Sequence, residues 1–172
     1  MSHSRDVRLR PAVNADARAV RALVFAVLEE YGLAADPGGT DADLDDIEAT
    51  YRARGGSFHV LEEPGGRIVG CVGLFAVDAE TCELRKMYLE PHARGLGLGR
   101  RLLDAALADA KTLGFRRVVL ETATVLTEAI ALYTRHGFEA YTPEHLSKRC
   151  NLAYALELKP ATAPFSHRPP GN

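Results

Sequence analysis

The chain has 172 residues, of which 47% are hydrophobic and 26% charged, with a formal net charge of -2. At this length roughly 70% of the unfolded surface can be buried, so a core forms without disulfide staples. The near-neutral charge gives no general attraction to a polyanion, which argues against nucleic acid as a partner.

Cys71, Cys82 and Cys150 are an odd number with no Cys-x-x-Cys pairing, so neither a disulfide framework nor a metal site is suggested. The stretch from Met1 to Arg10 is polar and charged, without the apolar centre of a leader. No stretch approaches the ~18 apolar residues of a membrane span. The expectation is a cytoplasmic chain with reduced thiols, no metal and no membrane partner.

Val7-Arg8-Leu9-Arg10 alternates and then meets Pro11, which predicts a short strand before a helix. Val20, Leu23, Val24, Val27 and Leu28 recur at helical spacing as far as Tyr31, where Gly32 is a stop. A turn-rich loop spans 32–40, and Asp41 to Arg54 predicts a second, acidic helix with Leu44, Ile47 and Tyr51 on one side. Its Asp41, Asp43, Asp45, Asp46 and Glu48 read as a solvated acidic helix start, with attraction of a cationic substrate as the alternative.

Ser57 to Glu62 and Ile68 to Val77 predict a hairpin around Pro64-Gly65-Gly66, and Cys82 to Leu89 predicts a third successive strand. Leu98, Leu102, Leu103, Ala106, Ala110 and Leu113 define an amphipathic helix that Gly114 ends. Arg117 to Glu121 is a short apolar strand, and Thr124 or Thr127 can cap a fourth helix that carries Ile130, Leu132 and Tyr133 and closes at Gly137. Phe138 to Tyr141 and Asn151 to Leu158 complete the sheet. The expected organisation is a single α+β domain over 1–159, with a proline-rich, disordered tail over 160–172.

The stretch Arg94-Gly95-Leu96-Gly97-Leu98-Gly99-Arg100 joins a strand to a helix. Glycines at alternate positions let backbone N–H groups converge, and the helix start adds the positive end of its dipole, so the stretch predicts an anion cradle. Leu102 stands where a dinucleotide fingerprint needs its third glycine, and no Gly-Lys-Ser/Thr follows to make a P-loop. The anion is therefore a phosphate of another carrier.

From Glu83 to Phe138 the chain resembles the GCN5-related N-acetyltransferases. The resemblance rests on Glu-Leu-Arg-Lys-Met-Tyr-Leu at 83–89, on Arg94-x-x-Gly97-x-Gly99, and on Ala129-Ile-Ala-Leu-Tyr133-x-x-His136-Gly137-Phe138, in that order and at similar separations. It implies the family's fold, a mixed and mostly antiparallel sheet of about seven strands flanked by about four helices. It also implies acetyl transfer from acetyl-CoA, the donor substrate, to an amine by direct attack in a ternary complex. Its pyrophosphate would lie on the amides of Gly95, Leu96, Gly97, Leu98, Gly99 and Arg100, with Arg94 or Arg100 meeting its charge. The pantetheine arm would pair with Met87, Tyr88 and Leu89, where the strand splays from Val118–Glu121.

Carried over residue by residue, the resemblance assigns Glu83 as the base for the amine and Tyr133 as the group that protonates the thiolate, with Glu121 as the alternative base. A backbone N–H near the bulge at Leu89 would hold the oxyanion. Without catalysis, Glu83 is a solvated strand residue or an ion-pair partner for Arg85 or Arg117, and Tyr133 is core. Alternation predicts Arg85 and Lys86 on opposite faces, one of them available to a substrate carboxylate. His136, before a terminal glycine, is explained by the helix dipole, and His59, His92 and His145 lack metal-ligand spacing. The expected acceptor is a small-molecule amine or amino acid, with a homodimer allowed. The alternatives are a non-catalytic acyl-CoA-binding module, another acyl group, or a protein amine.

Overall fold

The computed structural model describes residues 6–159, and the tail expected from Pro160 onward lies outside them. Seven strands form one sheet: β1 (Arg8–Pro11), β2 (Ser57–Glu62), β3 (Ile68–Ala76), β4 (Thr81–Leu89), β5 (Arg117–Thr122), β6 (Glu139–Tyr141) and β7 (Leu152–Glu157). Their spatial order is β1-β2-β3-β4-β5-β7-β6. Every neighbouring pair is antiparallel except β4 and β5, which run parallel. A parallel link requires a crossover, and α2 (Leu98–Thr112) supplies it.

The sheet is covered on both faces, as the seven consecutive buried residues Ile68–Leu74 of β3 require. On one face α2 buries Leu98, Leu102, Leu103, Ala106 and Ala110 against Val69, Cys82, Leu84, Val118 and Leu120. On the other, α1 (Ala17–Glu30) buries Val20, Leu23, Val24, Val27 and Leu28 with Phe58, Val60 and Cys71. Truncating a fully buried leucine such as Leu102 to alanine typically costs about 2–5 kcal/mol.

The expected acidic helix over 41–54 is a composite. A 3₁₀ turn spans Ala42–Leu44 and a π-helical turn spans Glu48–Arg52. The polar side of this segment is not all solvated, because Asp41 turns inward and its Oδ2 accepts from the Asp36 N–H at 2.9 Å. Tyr51 packs edge-on to Phe58 and against Gly73, where a Cβ would come within 2.7 Å of the tyrosine ring. Gly73 is therefore the opening that lets Tyr51 lie on the sheet. Asp46 and Glu48 do stay at the surface, where they pair with Asn14.

The last helix, α3 (Thr127–Arg135), has no threonine cap: Leu126 occupies the cap position, Thr127 is already helical, and Thr124 Oγ1 bonds Asn151 Oδ1 at 3.0 Å. Among the described residues no helix is long and apolar enough to cross a membrane.

Candidate active site

The parallel pairing of β4 and β5 is short. Only Thr81, Cys82 and Glu83 face Arg117, Val118 and Val119, after which β4 continues along β3 and β5 along β7. The fork so formed holds a cavity of about 490 Å³, lined on the β4 side by Glu83 to Tyr88, on the β5 side by Glu121 and Thr122, and from α3 by Ala129 and Tyr133. Glu83 stands where the strands part. The splay expected between these strands is present, and it brings Glu83, Glu121 and Tyr133 to one space.

Strand alternation sends Cys82 and Leu84 into the α2-side core and should send Lys86 after them. It does not, because Lys86 has a left-handed φ of 55°, and the register slips between Cys71 and Gly73, which oppose Tyr88 and Arg85. This bulge turns Lys86 to the same side as Arg85. Both cations reach one carboxylate, Lys86 Nζ lying 3.3 Å from Asp43 Oδ1 and Arg85 Nη1 lying 4.0 Å from Asp43 Oδ2. The opposite-face expectation for these two residues is thus corrected. The irregular backbone also lies at Lys86–Met87, ahead of Leu89, which pairs regularly with Gly70.

Beneath the cavity Asp41 is completely buried and binds two cations. Arg149 grips it through both nitrogens at 2.7 Å, and Lys86 Nζ approaches at 3.0 Å while also donating to Thr40 O. Burial alone would raise the Asp41 carboxyl, but hydrogen bonds from Arg149, the Asp36 amide and Lys86 overcome it and hold the group well below the usual carboxylate range. Tyr51 donates its hydroxyl to Asp43 Oδ2, and Asp43 Oδ1 has no hydrogen-bond partner among the described residues. Asp41 and Asp43 therefore belong to an internal ion network rather than to a solvated helix start. No local pattern marks Asp41, Lys86 and Arg149 as partners, because they meet only through the fold.

The two glutamates differ in their bonds. Arg85 donates to both oxygens of Glu83, at 2.9 and 3.2 Å, so the ion-pair reading is realised alongside its place in the cavity. Glu121 Oε2 accepts the Ser147 N–H at 3.1 Å. Tyr133 is buried beside Phe138, and burial, with Tyr88 and Cys150 nearby, pushes its phenol well above the usual tyrosine range. Burial thus favours the protonated phenol, the form that can donate. Burial pushes the Cys71 and Cys82 thiols up to about 12 and raises Cys150 as well, which disfavours the thiolates that nucleophilic catalysis needs.

The glycine stretch opens α2. Gly95 and Gly97 have φ of 74° and 77°, and Gly97 is the left-handed cap before Leu98. The first amides of a helix have no acceptor one turn back, so at this turn those of α2 are left to bond outside the helix. Leu89 and the cradle adjoin, since a Cβ on Gly99 would lie 3.5 Å from Leu89 Cδ1. Arg94 points elsewhere: it binds Glu30 through two nitrogens at 2.7 Å and Leu89 O at 3.0 and 3.2 Å, tying α1 to the end of β4. Arg100 is exposed and lies 3.7 Å from Asp104. His136 bonds Asp104 and Leu132 O, each at 2.9 Å, at the end of α3. Among the described residues no group of His, Cys, Asp and Glu is placed to hold a metal ion.

The forked sheet and its cavity continue along β4 into a glycine-opened helix start, an arrangement that sets an open cleft beside a turn suited to an anion. A sequence model of the acetyltransferase (GNAT) family matches residues 24–138. The uncharacterised N-acetyltransferase YjgM of Escherichia coli K12 is 41% identical over 129 residues, which cover 72% of this chain and 77% of that protein. An acetyltransferase of the GNAT family from Staphylococcus aureus Mu50 has the same fold, with a TM-score of 0.83 at 23% identity over 89% of this chain and 99% of that one. YncA of Salmonella typhimurium, described as an acetyltransferase with its cofactor acetyl-CoA, gives a TM-score of 0.69 at 26% identity over 92% of this chain and 97% of that one. The chain belongs to the GNAT acetyltransferase family and is an N-acetyltransferase.

Proposed function

We propose that the enzyme transfers the acetyl group of acetyl-CoA to the primary amine of a small molecule, by direct attack within a ternary complex. The observation that carries this reading is the fork between β4 and β5, with Glu83 where the strands part, Tyr133 on the α3 side and the glycine cradle beyond Leu89. Gly95, Gly97 and the first amides of α2 fit a pyrophosphate, because their left-handed backbone turns N–H donors to one side without a side chain in the way. Arg94 would act by holding α1 and the Leu89 carbonyl in place rather than by touching phosphate. Met87, Tyr88 and Leu89 would line the path of the pantetheine arm.

When bound, acetyl-CoA supplies a thioester carbonyl open to attack. An alkylammonium has a pKa near ~10, so the acceptor must lose a proton before its nitrogen can attack, and Glu83 takes it, directly or through water. An amide at the Lys86–Met87 bulge polarises the carbonyl, since a residue left out of the ladder has an N–H to offer. Tyr133 donates to the departing sulfur. The volume of the cavity supports a small acceptor, as about 490 Å³ is the scale of a single small-molecule site.

Purified protein mixed with acetyl-CoA and a panel of primary amines should release thiol only when an acceptor is present, with one N-acetyl product per thiol. Tight acetyl-CoA binding with no acceptor-dependent release across the panel would overturn the reading. Propionyl-CoA and succinyl-CoA in the same assay test the choice of acyl group.

A further inference from the structure

Three cations line the cavity, and they are not equivalent. The side chains of Lys86 and Arg149 are 3% and 11% exposed; Arg149 is held by Asp41, and Lys86 by Asp41, Asp43 and the Thr40 carbonyl. Arg85 is 28% exposed, and its guanidinium lies 3.9 Å from the centroid of the Phe75 ring, which holds the plane in position. Its Nε and Nη2 bond Glu83, but Nη1 has only Asp43 Oδ2 at 4.0 Å, beyond hydrogen-bond reach. Arg85 is thus the most exposed of the three, with Nη1 turned to no carboxylate within hydrogen-bond reach among the described residues, and its partner is the carboxylate assigned to take the amine's proton. When Glu83 takes that proton the Arg85 guanidinium is left against a neutral carboxyl, so the pair loses its charge unless another carboxylate meets Arg85.

We propose that the acceptor is an amino acid, or another small amine with a carboxylate one or two carbons from its nitrogen, whose carboxylate takes over the Arg85 fork and so releases Glu83 to accept the amine's proton. This rests on the acetyl-transfer reading above and adds the substrate's class. The exchange replaces one carboxylate with another on the same guanidinium while the substrate's ammonium faces the released Glu83, so each charge keeps an opposite partner until the proton passes. The ammonium N–H bond breaks as a proton passes to Glu83, and the nitrogen lone pair forms the new C–N bond. The C–S bond breaks, the sulfur takes a proton from Tyr133, and the proton shed by nitrogen as the amide forms restores the phenol. An amine without the carboxylate leaves the Arg85–Glu83 pair closed.

The test compares each common L-amino acid with its decarboxylated amine and its primary amide, reading kcat/KM from thiol release. The expected result is that the best amino acid exceeds its decarboxylated partner by about ten- to a hundredfold, the range for a hydrogen bond between charged groups. Arg85→Gln should collapse that ratio toward one, and Arg85→Lys should recover part of it, with acetyl-CoA affinity by calorimetry showing that each variant is folded. Equal rates for acids and amines in the wild type, or a ratio that survives Arg85→Gln in folded protein, would overturn the proposal while leaving acetyl transfer standing. Thiol release with no acceptor at all overturns both. The wild-type comparison decides the question by itself if the variants do not fold.

Discussion

Glu83 and Glu121 enter the same cavity from adjacent strands with different bonds, and that difference makes their roles separable. If Glu83 is the base, Glu83→Gln should lower kcat by about a hundredfold or more, the usual contribution of general base catalysis, and leave acetyl-CoA affinity near wild type. Glu121→Gln should cost far less. The reverse order in steady-state kinetics would move the role to Glu121. Tyr133 makes a prediction with a sign: its pKa is raised by burial, so the wild-type rate should show no falling limb as pH rises through ~10, the ordinary tyrosine value. Tyr133→Phe should lower kcat about tenfold or more, with little change in the acceptor's KM. An unchanged kcat would remove the acid role.

The decisive element is the turn from β4 into α2. At Gly97 an added Cβ meets nothing within 4 Å, so a side chain there is opposed by backbone conformation alone. An L-residue held in the left-handed region costs roughly 1–2 kcal/mol, and a β-branched one suffers more. Gly97→Val should therefore re-aim the first amides of α2 and weaken acetyl-CoA binding by about tenfold, measured by calorimetry, while the order of preference among acceptors is kept. Unchanged affinity in folded protein would take the phosphate away from this turn. The second element that matters is the bulge in β4, which puts two consecutive cations on one face and an irregular backbone beside the fork.

For the molecule as a whole, Asp41 is the point where three distant segments meet. It holds the loop before 42, the β4 bulge through Lys86, and the segment before β7 through Arg149. Asp41→Asn leaves two buried cations facing a neutral amide, and breaking such a pair costs about 3–5 kcal/mol. At about 2–4 °C per kcal/mol for a chain of this size, the melting temperature should fall by roughly 10 °C near pH 7. Because the folded Asp41 carboxyl is depressed below its unfolded value of ~3.9, its stabilisation is fully present above that pH and is lost as pH falls below it. The gap between wild type and Asp41→Asn should therefore be full at pH 7 and shrink below pH ~4. A gap independent of pH would mean that shape, not charge, holds the junction.

Much of this enzyme is written locally. The alternation of β2 to β4, the helical spacing from Leu98 to Ala110 and the glycines before it depend on neighbours a few residues apart, so the sheet, the crossover helix and the glycine turn that opens it could be placed from the chain alone. The resemblance between Glu83 and Phe138 brought Glu83 and Tyr133 into one site, and they share the cavity in the structure. Other features depend on residues far apart in the chain. The acidic run at 41–48 has the composition of a solvated helix start, and only the arrival of Lys86 and Arg149 from distant segments makes Asp41 a buried anion. Arg94 has the signature of a phosphate ligand, yet Glu30, 64 residues away, engages its guanidinium. Lys86 leaves the alternating pattern because a left-handed residue turns the strand, a conformation that no side-chain pattern announces. Periodicity records which face of an element is apolar, whereas the partner a buried charge finds is set by segments that only folding brings within 3 Å.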